Sequence, residues 1–175
     1  MSKLICIDTN ITVWGIKEEA VEGQLDMIPR AKKLISDIIQ SGYLLCIPSF
    51  VLAESLVKVK DEQHRLELYD LICRNARVAE FGTAAALRFA TLFEDYCIAR
   101  QAGEVTDPPQ RNHIKVDFMI ASVAIVQKAE CIYTNDPHLH KFCGRLIECR
   151  GLPTMDENPI TGQFSLFPMQ TPVIK

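Results

Sequence analysis

Four acidic residues stand where chemistry could be done. Asp8 follows directly on the apolar run Leu4-Ile5-Cys6-Ile7, and Asp136 follows Cys131-Ile132-Tyr133 with only Thr134 and Asn135 between. Glu54 and Asp117 fall early in two apolar segments that read as helices, Ser49 to about Lys60 and Lys115 to Lys128. Carboxylates gathered in one place repel each other unless a cation neutralises them, and a hard all-oxygen set selects Mg2+ or Mn2+. Such ions suit phosphodiester hydrolysis: one activates water, and a second, ~4 Å away where two are present, stabilises the leaving oxygen. Taken singly, each acid serves equally well as a helix cap or a solvated residue. Convergence is what would make them a site.

The elements between them say whether they converge. The first apolar run reads as a strand buried on both faces, and Tyr43-Leu44-Leu45-Cys46-Ile47, stopped by Pro48, as a second. Between them Pro29 opens a helix whose Ala31, Leu34, Ile35, Ile38 and Ile39 keep the 3.6-residue period up to Gly42. The acidic stretch Thr12 to Met27 reads as a loop or short helix near the first strand's tip. Asp61 caps a further helix to about Asn75, expected to turn Leu66, Tyr69, Ile72 and Cys73 inward. Arg77 to Phe81 is a short strand, and Thr83 starts a long helix striped by Ala86, Phe89, Ala90, Phe93 and Cys97. Gly103 to His113, with Pro108-Pro109, reads as a surface loop, so that Asp117 falls in the first turn of the helix after it. Cys131-Ile132-Tyr133 and Leu146 to Cys149 complete the strands.

Strands alternating with helices imply an α/β fold with a central parallel sheet. In such sheets the strand ends and the starts of the following helices share one edge, and ligands bind beyond it. Asp8, Glu54 and Asp136 fall on that edge by topology, and Asp117 joins them if its helix begins there. The expected organisation is one domain over residues 1–150 and an extended tail over 151–175, with Phe164, Leu166 and Phe167 as apolar docking residues in the tail.

Composition narrows the setting. A chain of 175 residues with 48% hydrophobic and 23% charged residues is long enough for one complete core. A net charge of −3 and a pI near 5.8 give no overall basic surface for nucleic acid, leaving local patches as the route to it. Seven cysteines, odd in number and mostly set in apolar runs, read as packing residues of a reducing compartment. No stretch approaches the ~18 apolar residues of a membrane span, and the first apolar run is too short for a signal peptide. The expected location is cytoplasmic, where the sequon Asn10-Ile11-Thr12 is a coincidence.

The runs Ile7-Asp8-Thr9-Asn10, Ser49-Phe50-Val51-Leu52-Ala53-Glu54, Asp117-Phe118-Met119-Ile120-Ala121-Ser122-Val123-Ala124 and Tyr133-Thr134-Asn135-Asp136 resemble, in order, the four acidic motifs of PIN-domain ribonucleases. The likeness spans about residues 3–149. It implies a three-layer α/β/α sandwich, Mg2+ or Mn2+ held by Asp8, Glu54, Asp117 and Asp136, and Asn10 and Thr134 orienting ligands from behind. It further implies a metal-dependent endoribonuclease cutting single-stranded or loop regions of RNA, a homodimer, and an antitoxin protein as partner, since many members are toxins of toxin–antitoxin pairs. Two features depart from the family pattern. The fourth motif runs on through Pro137-His138-Leu139-His140 with its aromatic only at Phe142, and the chain is extended by the Thr12–Met27 segment and the tail.

Other readings compete at single residues. A haloacid-dehalogenase-like phosphatase would also place an Asp after its first strand, but its second Asp is replaced by Asn10. A catalytically silent PIN-like module for RNA binding or assembly fits the acidic balance. No Gly-rich loop with Lys-Ser/Thr cradles phosphate. His138, His140 and Cys143 are spaced for zinc but have no Cys-x-x-Cys to complete the set, and a Cys paired with His64 or His113 lacks a reactive setting. Arg111, His113 and Lys115, with Lys58 and Lys60, are the candidate phosphate contacts, and Trp14 either stacks on a base or anchors its loop.

Overall fold

Leu4–Ile7 forms β1 at the centre of the sheet, with all four residues buried. Successive strand side chains point to opposite faces, so four buried in a row means that both faces are covered. The structure, a computed structural model, describes residues 3–57, 59–105 and 111–155. The remaining elements are α1 (Thr9–Thr12) running into a π-helical turn (Val13–Lys17), α2 (Met27–Gln40), β2 (Leu44–Pro48), α3 (Ser49–Val57), α4 (Glu62–Asn75), β3 (Arg77–Ala79), α5 (Thr83–Gln101), α6 (Arg111–Val126), β4 (Ala129–Tyr133), α7 (Pro137–Cys143) and β5 (Glu148–Arg150).

The five strands are all parallel in the order β3-β2-β1-β4-β5. The chain builds outward from β1 on one side through β2 and β3, then crosses to the other side for β4 and β5. The strand order therefore reverses between β1 and β4, where an open parallel sheet leaves a crevice at its carboxyl edge. Register fixes the crevice walls: Cys6 lies opposite Cys46 and Ile132, and Ile7 opposite Tyr133, so Asp8 leaves the sheet level with the end of β4. The sheet is covered by helices, which gives the expected three-layer α/β/α arrangement.

Helix α2 keeps most of its expected stripe, burying Ala31, Leu34 and Ile38 with Ile35 half-buried, while Ile39 is turned out and Lys33 is buried. Leu34 and Ile38 each contribute ~2–5 kcal/mol if truncated to Ala. Other elements differ from expectation. In α4 the buried residues are Leu68 and Ile72, whereas Leu66, Tyr69 and Cys73 are exposed. The apolar residues of α4 are spread around the helix, so their spacing fits more than one face, and the packing of α3 and β3 selects Leu68 and Ile72. The stripe of α5 is likewise turned, with Ala85, Leu92 and Tyr96 innermost and Phe89, Phe93 and Cys97 only half-buried. Helix α6 begins at Arg111, inside the expected loop, so Asp117 sits in its second turn and not its first. The run after Asp136, expected as a turn, is helix α7, with Pro137 at its start and Leu139 and Cys143 buried. Cys143 donates a weak Sγ hydrogen bond at 3.7 Å to the carbonyl of Asp117, fastening α7 to α6.

The start of the expected tail is held down. Leu152 is buried, and the Arg30 guanidinium of α2 donates to the carbonyls of Leu152 at 2.7 Å and Pro153 at 2.9 Å. The apolar residues Phe164, Leu166 and Phe167 lie outside the described residues.

Candidate active site

Asp8 is the residue where β1 turns into α1. Its carboxylate caps that helix, accepting from the backbone N–H of Ile11 at 2.9 Å, and the same residue's carbonyl accepts from the Thr12 hydroxyl at 2.8 Å. The second carboxylate oxygen accepts from the hydroxyl of Thr134, the first residue beyond β4. Thr134 Oγ1 in turn accepts from the backbone N–H of Asp136 at 3.0 Å. One hydroxyl thus ties the end of β1 to the end of β4 across the reversal point. Asp136 caps α7 by accepting from His138 N–H at 2.7 Å, which explains why the helix starts there.

Glu54, on the outer face of α3, accepts from the Thr9 hydroxyl at 2.5 Å, so the third acid is also drawn toward the tip of β1. Thr9 was not singled out by sequence reasoning. The signal available was its place between Asp8 and Asn10 at the start of a helix. Asp117 differs from the other three: it is 5% exposed, and its Oδ2 is buried with no hydrogen-bond partner among the described residues. Asp8, Asn10, Glu54, Asp117 and Asp136 line a single cleft of about 200 Å3, floored by Val116, Ile120 and Leu139.

Burial has an electrostatic consequence. Removal from water raises Asp8 to about 6, against the lowering effect of its bonds from Ile11 and Thr134, and Asp136 raises it further. Asp117 is raised to about 7, first by burial and then by the charges of Asp136, Asp8 and Glu54. The acids feel each other, as a shared cleft requires. As they stand, no three His, Cys, Asp or Glu side chains among the described residues converge closely enough to hold a metal ion together. The reason is visible in their partners: the carboxylates of Asp8, Glu54 and Asp136 are each turned toward a donor of the protein itself. The chemistry of the set nevertheless fits a hard divalent cation, being all oxygen and including the orphaned Asp117 Oδ2.

The basic candidates are placed less fully. The side chains of Arg111 and His113, and the whole of Lys58, lie outside the described residues. Lys115 is half-buried, its ammonium 6.0 Å from the centre of the Phe93 ring, and Lys60 is exposed. Trp14 is only 5% exposed, so it is packed into its turn and not held out on the surface as a stacking platform, although it lines the pocket beside the cleft. The zinc spacing does not assemble. His138 stacks on Phe142, His140 Nε2 lies 3.2 Å from the Thr134 carbonyl, and Cys143 is buried. Phe142 is accounted for in the same way, packing its edge against Tyr96 of α5.

The sequence profile of the PIN domain matches residues 5–145. No curated protein matches the chain. Among solved structures, VapBC2 from Rickettsia felis bound to a DNA fragment from its promoter superposes with a TM-score of 0.60 at 18% identity, covering 86% of this chain and 99% of the other. DNA-bound VapBC from Salmonella typhimurium superposes with a TM-score of 0.59 at 18% identity, covering 87% and 100%. At that identity the likeness establishes the fold.

Proposed function

This chain belongs to the PIN domain family, and from that premise we propose that it is a metal-dependent endoribonuclease whose carboxylates Asp8, Glu54, Asp117 and Asp136 hold Mg2+ or Mn2+. The observation that carries the reading is the cleft itself: acids from four separate chain segments line one crevice at the switch point of the sheet, and one of them keeps a buried oxygen without a partner. A divalent ion, when bound, supplies Lewis acidity toward water and phosphate oxygens. What the chain supplies is orientation and charge. Ile11 N–H and Thr134 Oγ1 fix the Asp8 carboxylate, and Asn10, which lines the cleft, is the residue proposed with Thr134 to orient ligands or water. Burial and the charges of Asp136, Asp8 and Glu54 raise Asp117 toward its protonated form, and its carboxylate form is favoured once a divalent cation is bound beside it.

Arg111, His113 and Lys115 at the start of α6 are the proposed phosphate contacts, and the substrate is RNA in single-stranded or loop regions. A toxin role with an antitoxin partner follows from the family and is supported by the shared fold with the two VapBC structures. A homodimer and a cytoplasmic location belong to the same proposal; no helix among the described residues is long and apolar enough to cross a membrane. The test is cleavage of single-stranded RNA with Mn2+ by wild type, Asp8→Asn and Asp117→Asn. We expect the variants to lose at least ~100-fold in rate. Equal rates in all three would sink the site, and no cleavage by wild type on any RNA would favour a silent binding or assembly module.

A further inference from the structure

Beside the carboxylate cleft lies a second, larger pocket of about 520 Å3, in the range of ~300–1,000 Å3 usual for small-ligand sites. The two share Thr9, Asn10 and Glu54 as a common wall, so a chain whose phosphodiester lies at the acids continues into it. The pocket is built by the segment between α1 and α2 closing over the end of α3. Its walls are mostly apolar, from Val13, Ala20, Val21 and Val57. Its polar handles are the amides of Asn10 and Gln24, which have no hydrogen-bond partner among the described residues.

Charge decides what kind of group fits. Lys17, at the pocket wall, has a side chain only 5% exposed and is paired with Glu19 at 2.9 Å, while Glu18 is paired with Lys32 at 2.8 Å. Among the described residues that line the pocket, the lysine is therefore already paired, which leaves no free cation there for a phosphate. A neutral, flat group with hydrogen-bonding edges matches apolar walls with amide handles, because amides both donate and accept. Resting on the ribonuclease reading above, we propose that this pocket receives the nucleobase adjoining the scissile phosphodiester and sets the base preference of cleavage, with Gln24 reading its edge.

Trp14 is the chain's one tryptophan and lines this pocket, so occupancy is readable without metal and without turnover. Adenosine, guanosine, cytidine and uridine are titrated in turn into the full chain in EDTA while Trp14 emission is followed. We expect saturable change with at least one nucleoside and selectivity among the four. Val21→Phe, which fills the pocket from an exposed position, and Gln24→Ala should each weaken binding about tenfold while the far-ultraviolet circular dichroism stays as in wild type. With Mn2+ and an RNA of mixed sequence, the same two variants should flatten the base preference next to the cut. No response to any nucleoside, or responses that both variants leave intact, overturns the proposal. So does saturable binding of an apolar hexapeptide where no nucleoside binds, which would assign the pocket to a protein segment. The two readings fail separately: nucleoside binding that persists alongside unimpaired cleavage by Asp8→Asn supports the pocket and removes the carboxylate mechanism. Loss of cleavage in Asp8→Asn without nucleoside binding does the reverse.

Discussion

At the residue scale Asp117 is buried beside three other acids, with one oxygen that has no partner among the described residues. An acid raised in the folded state binds its proton more tightly there than in the unfolded chain. Stability is therefore full below the ordinary carboxylate range and is lost as pH rises from about 4 to about 7 for Asp117, and to about 6 for Asp8. Thermal melts in EDTA should show the midpoint falling between about pH 4 and pH 7 and levelling off above that. Asp117→Asn should remove much of that fall and melt higher at pH 8 by several degrees, ~2–4 °C for each kcal/mol recovered. A flat wild-type profile would contradict the assignment. Thr134 is the complementary case: Thr134→Val keeps the shape but leaves the buried Asp8 oxygen without its donor, and should cost ~1–3 kcal/mol in urea denaturation. Thr134→Ser should behave nearly as wild type, and equal losses in both would argue against the hydroxyl's role.

At the element scale the turn after α1 shows how the site's neighbourhood is built. Gly15 sits where the π-helical turn meets α2, and a Cβ there would come 2.5 Å from Ile35 Cδ1 and 3.2 Å from both the backbone carbon and the Cβ of Ala31. The absent side chain lets α2 close against the turn that carries Trp14. Gly15→Val should cost ~1–3 kcal/mol and change Trp14 emission, whereas an unaltered midpoint would mean that the two elements are not tightly coupled. Legibility varied with element. The period of α2 was mostly legible, since Ala31, Leu34 and Ile38 recur on one face, although packing buries Lys33 and leaves Ile39 exposed. In α4 Leu66, Leu68, Tyr69, Leu71 and Ile72 spread around the helix, so only the packed neighbours determine that Leu68 and Ile72 turn inward. Helix α7 was hidden because Pro137, read as a turn former, is also a favoured first residue of a helix, and Asp136 in front of it is the cap.

At the scale of the whole molecule the chain returns to cover its own first half. Leu152 is buried and the two carbonyls at 152 and 153 are held by Arg30, so the segment just after β5 is part of the fold. Ending the chain at Gly151 should cost ~1–3 kcal/mol in stability through the lost burial and hydrogen bonds. Arg30→Ala in the full chain should reproduce part of that loss, and a truncated chain as stable as the full one would show the contact to be incidental. Residues 152 and 153, just past the expected boundary at 150, are thus in contact with the domain.

Apart from α7, the main order of strands and helices, the parallel sheet and the positions of Asp8, Glu54 and Asp136 at its carboxyl edge were in the sequence, because burial on both faces forces continuous apolar runs and helices force a 3.6-residue period. Tertiary structure decided the rest. Asp117 lines the cleft from the second turn of α6, since α6 is held there by its packing on α5 and α7 and not by where it begins. Thr9 and Thr134 acquire their roles only because residues 45 and 126 positions apart are brought within hydrogen-bonding reach. Spacing along a chain can say which acids share an edge, but which hydroxyl each one faces depends on distances that only the folded backbone sets.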